Sequence, residues 1–221
     1  MSPRAANGAH KWRKRLREDK RPTPRLFLIT PPDADVAFGT FLRKILSAHD
    51  VASVLVWGET AEGNDYLTRA KALIPIIQEH GAAALLRGEL QFVARADADG
   101  FHSDTTAEDL KIAATQFAKQ RIIGAAKLKE RHDAMVAGET GVDYVFFGDP
   151  RFETPHDLLA ERCEWWQSLF SVPCVAYAED TAQAIALAQA GADFIAPGKY
   201  LWAEPDPLQT LAILEIEFSK L

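Results

Sequence analysis

VPCVAYAEDTAQAIALAQAGADFIAPGK, residues Val172 to Lys199, is the stretch whose reading decides the fold. Val172 to Tyr177 is apolar without alternation, the pattern of a strand covered on both faces. Asp180 or Glu179 caps the helix that follows, and Asp193 to Ala196 is a second apolar strand. Two such strands joined through a helix run parallel and need covering helices on their outer side. In parallel barrels, phosphate sites tend to form after strands seven and eight. Here the turn that would cradle a phosphate carries Ala178-Glu179-Asp180, whose carboxylates cap the helix and repel an anion. Lys199, preceded by Gly198, lies across the mouth and is the feature that favours an anion there.

Upstream of this unit the same alternation repeats. Leu26 to Thr30 reads as a first strand, stopped by Pro31-Pro32, with Asp33 or Asp35 capping the next helix. Further strands are expected at Val51 to Trp57, Ala82 to Leu86, Gly100 to His102, Arg121 to Ala125 and Val142 to Phe147, each followed by a helical segment. Eight strands alternating with eight helices specify a single-domain (β/α)8 TIM barrel over residues 25–221, preceded by a basic N-terminal arm over 1–24. A doubly wound sheet also alternates, but it favours a glycine-rich first turn, absent after Thr30.

Composition agrees with one domain. The 221 residues are 48% hydrophobic, enough for a sizeable core, and no apolar run reaches the length of a membrane helix. Without a secretory segment, and with two cysteines, Cys163 and Cys174, a reducing, cytoplasmic setting is expected. Charge is uneven: nine Lys/Arg stand against Glu18 and Asp19 in the first 25 residues, leaving 16 basic and 29 acidic residues in the body. An acidic body disfavours nucleic acid as a partner, and the arm is expected to be solvated or docked on an acidic surface of its own or a neighbouring subunit.

In a parallel barrel the chemistry gathers where the strands end. Trp57 offers a flat face, and Arg87, Lys127 and Lys199 are cations that can hold an anion or pair with Glu59, Asp104 or Glu179. His102 fits a packed structural histidine or a ligand contact. Asp104 is a weak metal candidate needing a further ligand such as Asp149 or Glu59. Tyr177 can reach a ligand with its hydroxyl or cap the barrel.

GFHSD, IIGAAKLKERHDAMVAGETGVDYVFFGDPRFET and SVPCVAYAEDTAQAIALAQAGADFIAPGK, in this order, resemble thiamine phosphate synthase and its TenI-type relatives from about Leu26 to Trp202. The resemblance implies a barrel that joins a pyrimidine methyl diphosphate to a thiazole phosphate, with Mg²⁺ assisting the release of pyrophosphate. It also implies a homodimer, a small anionic heterocycle or phosphate as ligand, and Phe152 and Thr154 as remnants of the strand-six loop. The chain departs from the pattern at several places. Val54 to Gly58 stands where the family has Gln-x-Arg-x-Lys, Arg87-Gly88 where it has Asn-Asp, and Ala126 where it has a serine. His156 stands near a missing lysine, and Ala178-Glu179 replaces Gly-Gly. These departures give an alternative reading, a lapsed or re-specialised barrel that binds a small anionic ligand or a protein partner.

Overall fold

The computed structural model describes residues 9–14, 23–58, 63–88, 90–117 and 120–221. Its centre is a closed barrel of eight parallel strands in sequential order: β1 (Arg25–Ile29), β2 (Val51–Val56), β3 (Ala83–Arg87), β4 (Gly100–Ser103), β5 (Ile122–Ala125), β6 (Tyr144–Phe147), β7 (Cys174–Ala178) and β8 (Phe194–Pro197). The expected (β/α)8 architecture is present, and β8 closes on β1 through Arg25 opposite Phe194. The outer layer comprises α2 (Val36–Ala48), α3 (Gly63–Glu79), α4 (Leu90–Ala96), α5 (Ala107–Phe117), α6 (Arg131–Glu139), α7 (His156–Leu169), α8 (Thr181–Gln189) and α10 (Pro207–Phe218), with a single turn, α9 (Tyr200–Ala203), before the last. Among the described residues no helix is long and apolar enough to cross a membrane.

Side chains alternate between two apolar layers, as a strand period of two demands. Leu26, Leu28, Val54, Val56, Val145, Phe147 and Ile195 face outward onto the helices. Phe27, Ile29, Leu55, Leu85, Tyr144, Phe146, Val175, Tyr177 and Phe194 face inward and fill the barrel. Gly124 makes room for one of them: a Cβ there would lie 1.9 Å from Cζ of Tyr144. The Trp165-Trp166 pair divides by face. Trp166 is buried against Phe147, and Trp165 lies under the Arg131 guanidinium.

Each even-numbered strand is preceded by an aspartate: Asp50, Asp99, Asp143 and Asp193. Asp99 accepts from the Ala84 amide at 2.8 Å, Asp143 from Ile123 at 2.9 Å and Asp193 from Cys174 at 2.8 Å. Each of these carboxylates fastens its strand to the odd strand before it. Asp50 instead takes the Arg25 guanidinium at the start of β1. Burial pushes the Asp99 carboxyl up to about 6, even with these donors around it.

Residues 9–14 are helical, and this segment, α1, closes the end of the barrel opposite the strand C-termini. Trp12 is 5% exposed, stacks on Phe194 with ring centroids 5.7 Å apart, and donates its indole N–H to Ser53 Oγ at 3.0 Å. Arg13 embraces the Asp143 carboxylate through two nitrogens and donates to the Arg121 carbonyl at 2.7 Å. This part of the basic arm docks on its own barrel, which excludes a fully solvated arm over 9–14. Two apolar residues one turn apart, Ala9 and Trp12, are buried among the charges. Residues 1–8 and 15–22 of the arm lie outside the described part.

Candidate functional site

The inward parity that fills the barrel continues to the C-terminal ends of the strands and sets the site. Trp57 lies two residues beyond Leu55, Arg87 two beyond Leu85, His102 two beyond Gly100, and Tyr177 two beyond Val175, so all four project into the mouth. Trp57, Arg87, His102, Asp104, Phe146 and the 148–151 loop surround a pocket whose interior has no room for a water molecule.

A chain of charges fills it. Arg87 donates to the Gly58 carbonyl at 2.8 Å and to Asp104 Oδ2 at 3.3 Å, with its guanidinium carbon 4.6 Å from the Trp57 ring centre. Arg151 donates to the same Asp104 oxygen at 2.9 Å. Its Nε and second terminal nitrogen grip Asp149 at 2.8 and 2.6 Å. Burial pushes the Asp104 carboxyl up, but the pull of Arg87 and Arg151 outweighs it and holds the group below the usual carboxylate range. Asp149 behaves alike: burial raises it, and its bonds from Arg151 prevail. The bond to Asp149 in turn holds Arg151 protonated above its ordinary value.

Beneath this latch, His102 is buried and joined through Nδ1 to the Tyr144 hydroxyl at 3.0 Å. Burial lowers its pKa to about 4, so at neutral pH it is an uncharged ring packed against Phe146. Burial also holds the Tyr144 hydroxyl protonated.

The second half of the mouth is an open cleft of about 270 Å³ lined by Asp149 to Glu153, Tyr177, Glu179, Lys199 and Tyr200. Asp180 caps α8 by accepting from the Gln183 amide at 2.7 Å, and the Gln183 side chain accepts from the Glu179 amide. Two amides at this turn, those of Glu179 and Gln183, are therefore taken by the protein's own side chains. Gly198 lies beneath Tyr177, where a Cβ would come within 2.5 Å of the phenol oxygen. The Lys199 amide points at that oxygen from 3.4 Å.

The structure thus brings Trp57, Arg87, His102 and Asp104 together on one side, and Tyr177, Gly198 and Lys199 on the other. Thr154 and Lys127 line neither space. Lys127 is exposed on a left-handed backbone, φ 60°. Glu59 lies outside the described residues. Arg151 joins the site without having been singled out in the sequence. Its signal was local: an Asp-Pro-Arg run straight after the Gly148 that ends β6, with Asp149 two residues before the arginine.

A magnesium ion does not fit this donor set. Asp149 accepts three hydrogen bonds from Arg151, and one Asp104 oxygen is shared by two guanidiniums. Among the described residues no group of three or more His, Cys, Asp or Glu is placed to hold a metal.

The family model described as thiamine monophosphate synthase matches residues 26–199. The chain belongs to that family. Thiamine-phosphate synthase from Rhodospirillum centenum is 36% identical over 82% of this chain and 90% of its own. The enzyme of that name from Hyphomonas neptunium is 36% identical over 84% and 89%. Among solved structures, thiamine phosphate pyrophosphorylase from Pyrococcus furiosus superposes with a TM-score of 0.73 at 20% identity, covering 91% of this chain and 98% of that one. At that identity the last similarity supports the fold alone. This member of the thiamine monophosphate synthase family carries an arginine–aspartate latch at the mouth and a self-capped turn after β7.

Proposed function

We propose that this barrel is a transferase of thiamine biosynthesis, joining a pyrimidine methyl diphosphate to a thiazole phosphate with release of pyrophosphate. The single observation that carries the reading is family membership over residues 26–199, backed by relatives named thiamine-phosphate synthase that align over nine-tenths of their length. In this reaction the methylene–oxygen bond breaks with its electron pair going to pyrophosphate, and the thiazole nitrogen forms the new bond to the methylene carbon. Negative charge grows on the leaving group, so cations aimed at it lower the barrier. The mouth supplies Arg87 and Arg151, both held over the Trp57 ring. Lys199 faces the cleft where the thiazole's phosphate would lie. Mg²⁺ is the ion that the family resemblance implies, but the carboxylates at the mouth do not fit it, and no step is routed through it. A cytoplasmic setting and a homodimer belong to the same reading.

Purified protein given both precursors, with and without Mg²⁺, should release pyrophosphate and form the coupled product. Folded protein that shows no turnover under either condition refutes the transferase. The latch and the self-capped turn favour a second reading, a re-specialised barrel that binds a small anion or a protein partner without turning it over. That reading predicts a rise in melting temperature with thiazole phosphate or pyrophosphate in the absence of product.

A further inference from the structure

The mouth holds an anion already, and it is the protein's own. The Asp104 carboxylate sits between two guanidiniums, 3.3 Å from Arg87 and 2.9 Å from Arg151, both of which stand over the Trp57 ring at 4.6 and 5.9 Å. Two arginines converging on one oxygen over an aromatic face form a binding site for an oxyanion, since planar forks match carboxylate and phosphate oxygens alike. Asp104 reaches it from the loop after β4, and its side chain is 23% exposed, so it has water to turn into. Arg151 is open to the cleft, but the Arg87 side chain is 10% exposed and the space between the two admits no water, so a ligand can engage both guanidiniums together only by displacing Asp104.

We infer that Asp104 is an internal placeholder in an oxyanion site formed by Arg87 and Arg151, and that a phosphate or diphosphate group displaces it without needing a bound divalent cation. Arg151 keeps its grip on Asp149 in the process, which orients the guanidinium and leaves its remaining nitrogen for the incoming oxygen. Once Asp104 has swung out, both guanidiniums face the ligand while Arg151 keeps Asp149. The placeholder also sets specificity. A singly charged ligand gains little over the carboxylate already in place, whereas a diphosphate offers more charge and more oxygens to both forks.

The inference takes its ligand class from the transferase reading, but its test is binding rather than turnover. Inorganic pyrophosphate is titrated by calorimetry into the full-length protein in the presence of EDTA. The wild type should bind, Asp104→Asn should bind at least about tenfold more tightly because no charge competes, and Arg151→Gln should weaken binding at least about tenfold. Arg151→Lys, which keeps the charge but loses the fork, should fall between. Thermal melts establish that each variant is folded, and Arg151→Lys carries the test where Arg151→Gln is not. The inference is overturned if pyrophosphate binds only with Mg²⁺, if Asp104→Asn does not tighten binding, or if Lys199→Gln weakens binding while Arg151→Lys leaves it unchanged. The expected pattern without turnover leaves the oxyanion site standing and removes the transferase. Turnover in folded protein without that pattern does the reverse.

Discussion

Removing the Trp12 side chain tests whether α1 closes the barrel in solution. Trp12 is 5% exposed, and its ring stacks on Phe194 and tilts against Tyr144 at 6.3 Å. A buried tryptophan removes about 150–250 Å² from water, worth about 4–6 kcal/mol at 25 cal/mol per Å² as an upper bound. Truncation also strands the buried Ser53 hydroxyl, which loses its donor at 3.0 Å. The loss is capped, however, because the segment that Trp12 anchors can detach from the barrel once its anchor is gone. We therefore expect Trp12→Ala to cost about 3 kcal/mol, the low end for a buried aromatic cut to alanine. Trp12→Phe, which keeps the stack and loses the N–H, should cost about 1 kcal/mol. Urea unfolding with a common m-value measures both. For a chain of this length, 3 kcal/mol corresponds to a fall of about 6–12 °C in Tm. A Trp12→Ala variant within about 0.5 kcal/mol of wild type would show that the helix does not dock.

Other perturbations have definite signs. His102 titrates near 6.5 when unfolded and near 4 when folded, so between those values the unfolded chain binds more protons and stability falls as pH drops. The full effect is about 3 kcal/mol. Asp99, raised to about 6, works the other way over an overlapping window, so the His102 share is read as the difference between wild type and His102→Gln in urea unfolding at pH 7 and pH 5. Equal pH slopes would refute a neutral buried His102. Gly124→Ala drives a methyl into the Tyr144 ring and should cost more than about 2 kcal/mol, with partial recovery in the Gly124→Ala/Tyr144→Leu double variant; additive losses would contradict the contact. Asp180→Ala should cost about 1 kcal/mol by uncapping α8, and Asp180→Ser a few tenths. Equal effects from the two would mean the cap contributes nothing.

Much of the architecture was legible because parallel strands buried on both faces leave unbroken apolar runs, which Val54, Phe147 and Ile195 exemplify on their outward sides. The caps were legible too: Asp35 accepts from Phe38, and Asp180 from Gln183. Trp12 was obscured because nine basic residues dominate the first 25, and charge says nothing about which apolar residue between them finds a hole to fill. The aspartates before β4, β6 and β8 were present in the sequence, but their shared role depends on strand register, which spacing alone does not set.

By itself, then, the sequence determined the alternation of strands and helices, the family resemblance, and the positions of Trp57, Arg87, His102 and Tyr177 at strand ends, because these follow from local periodicity. Only the tertiary structure decided what those residues do together. Barrel closure brings the end of β3 and the loops after β4 and β6 to one point, where Arg87, Asp104 and Arg151 compensate one another. It also carries α1 to the opposite end, 41 residues in sequence from the serine that its tryptophan meets. Charge pairing and plugging depend on which distant segments meet, and that is a property of the closed barrel rather than of any window of the chain.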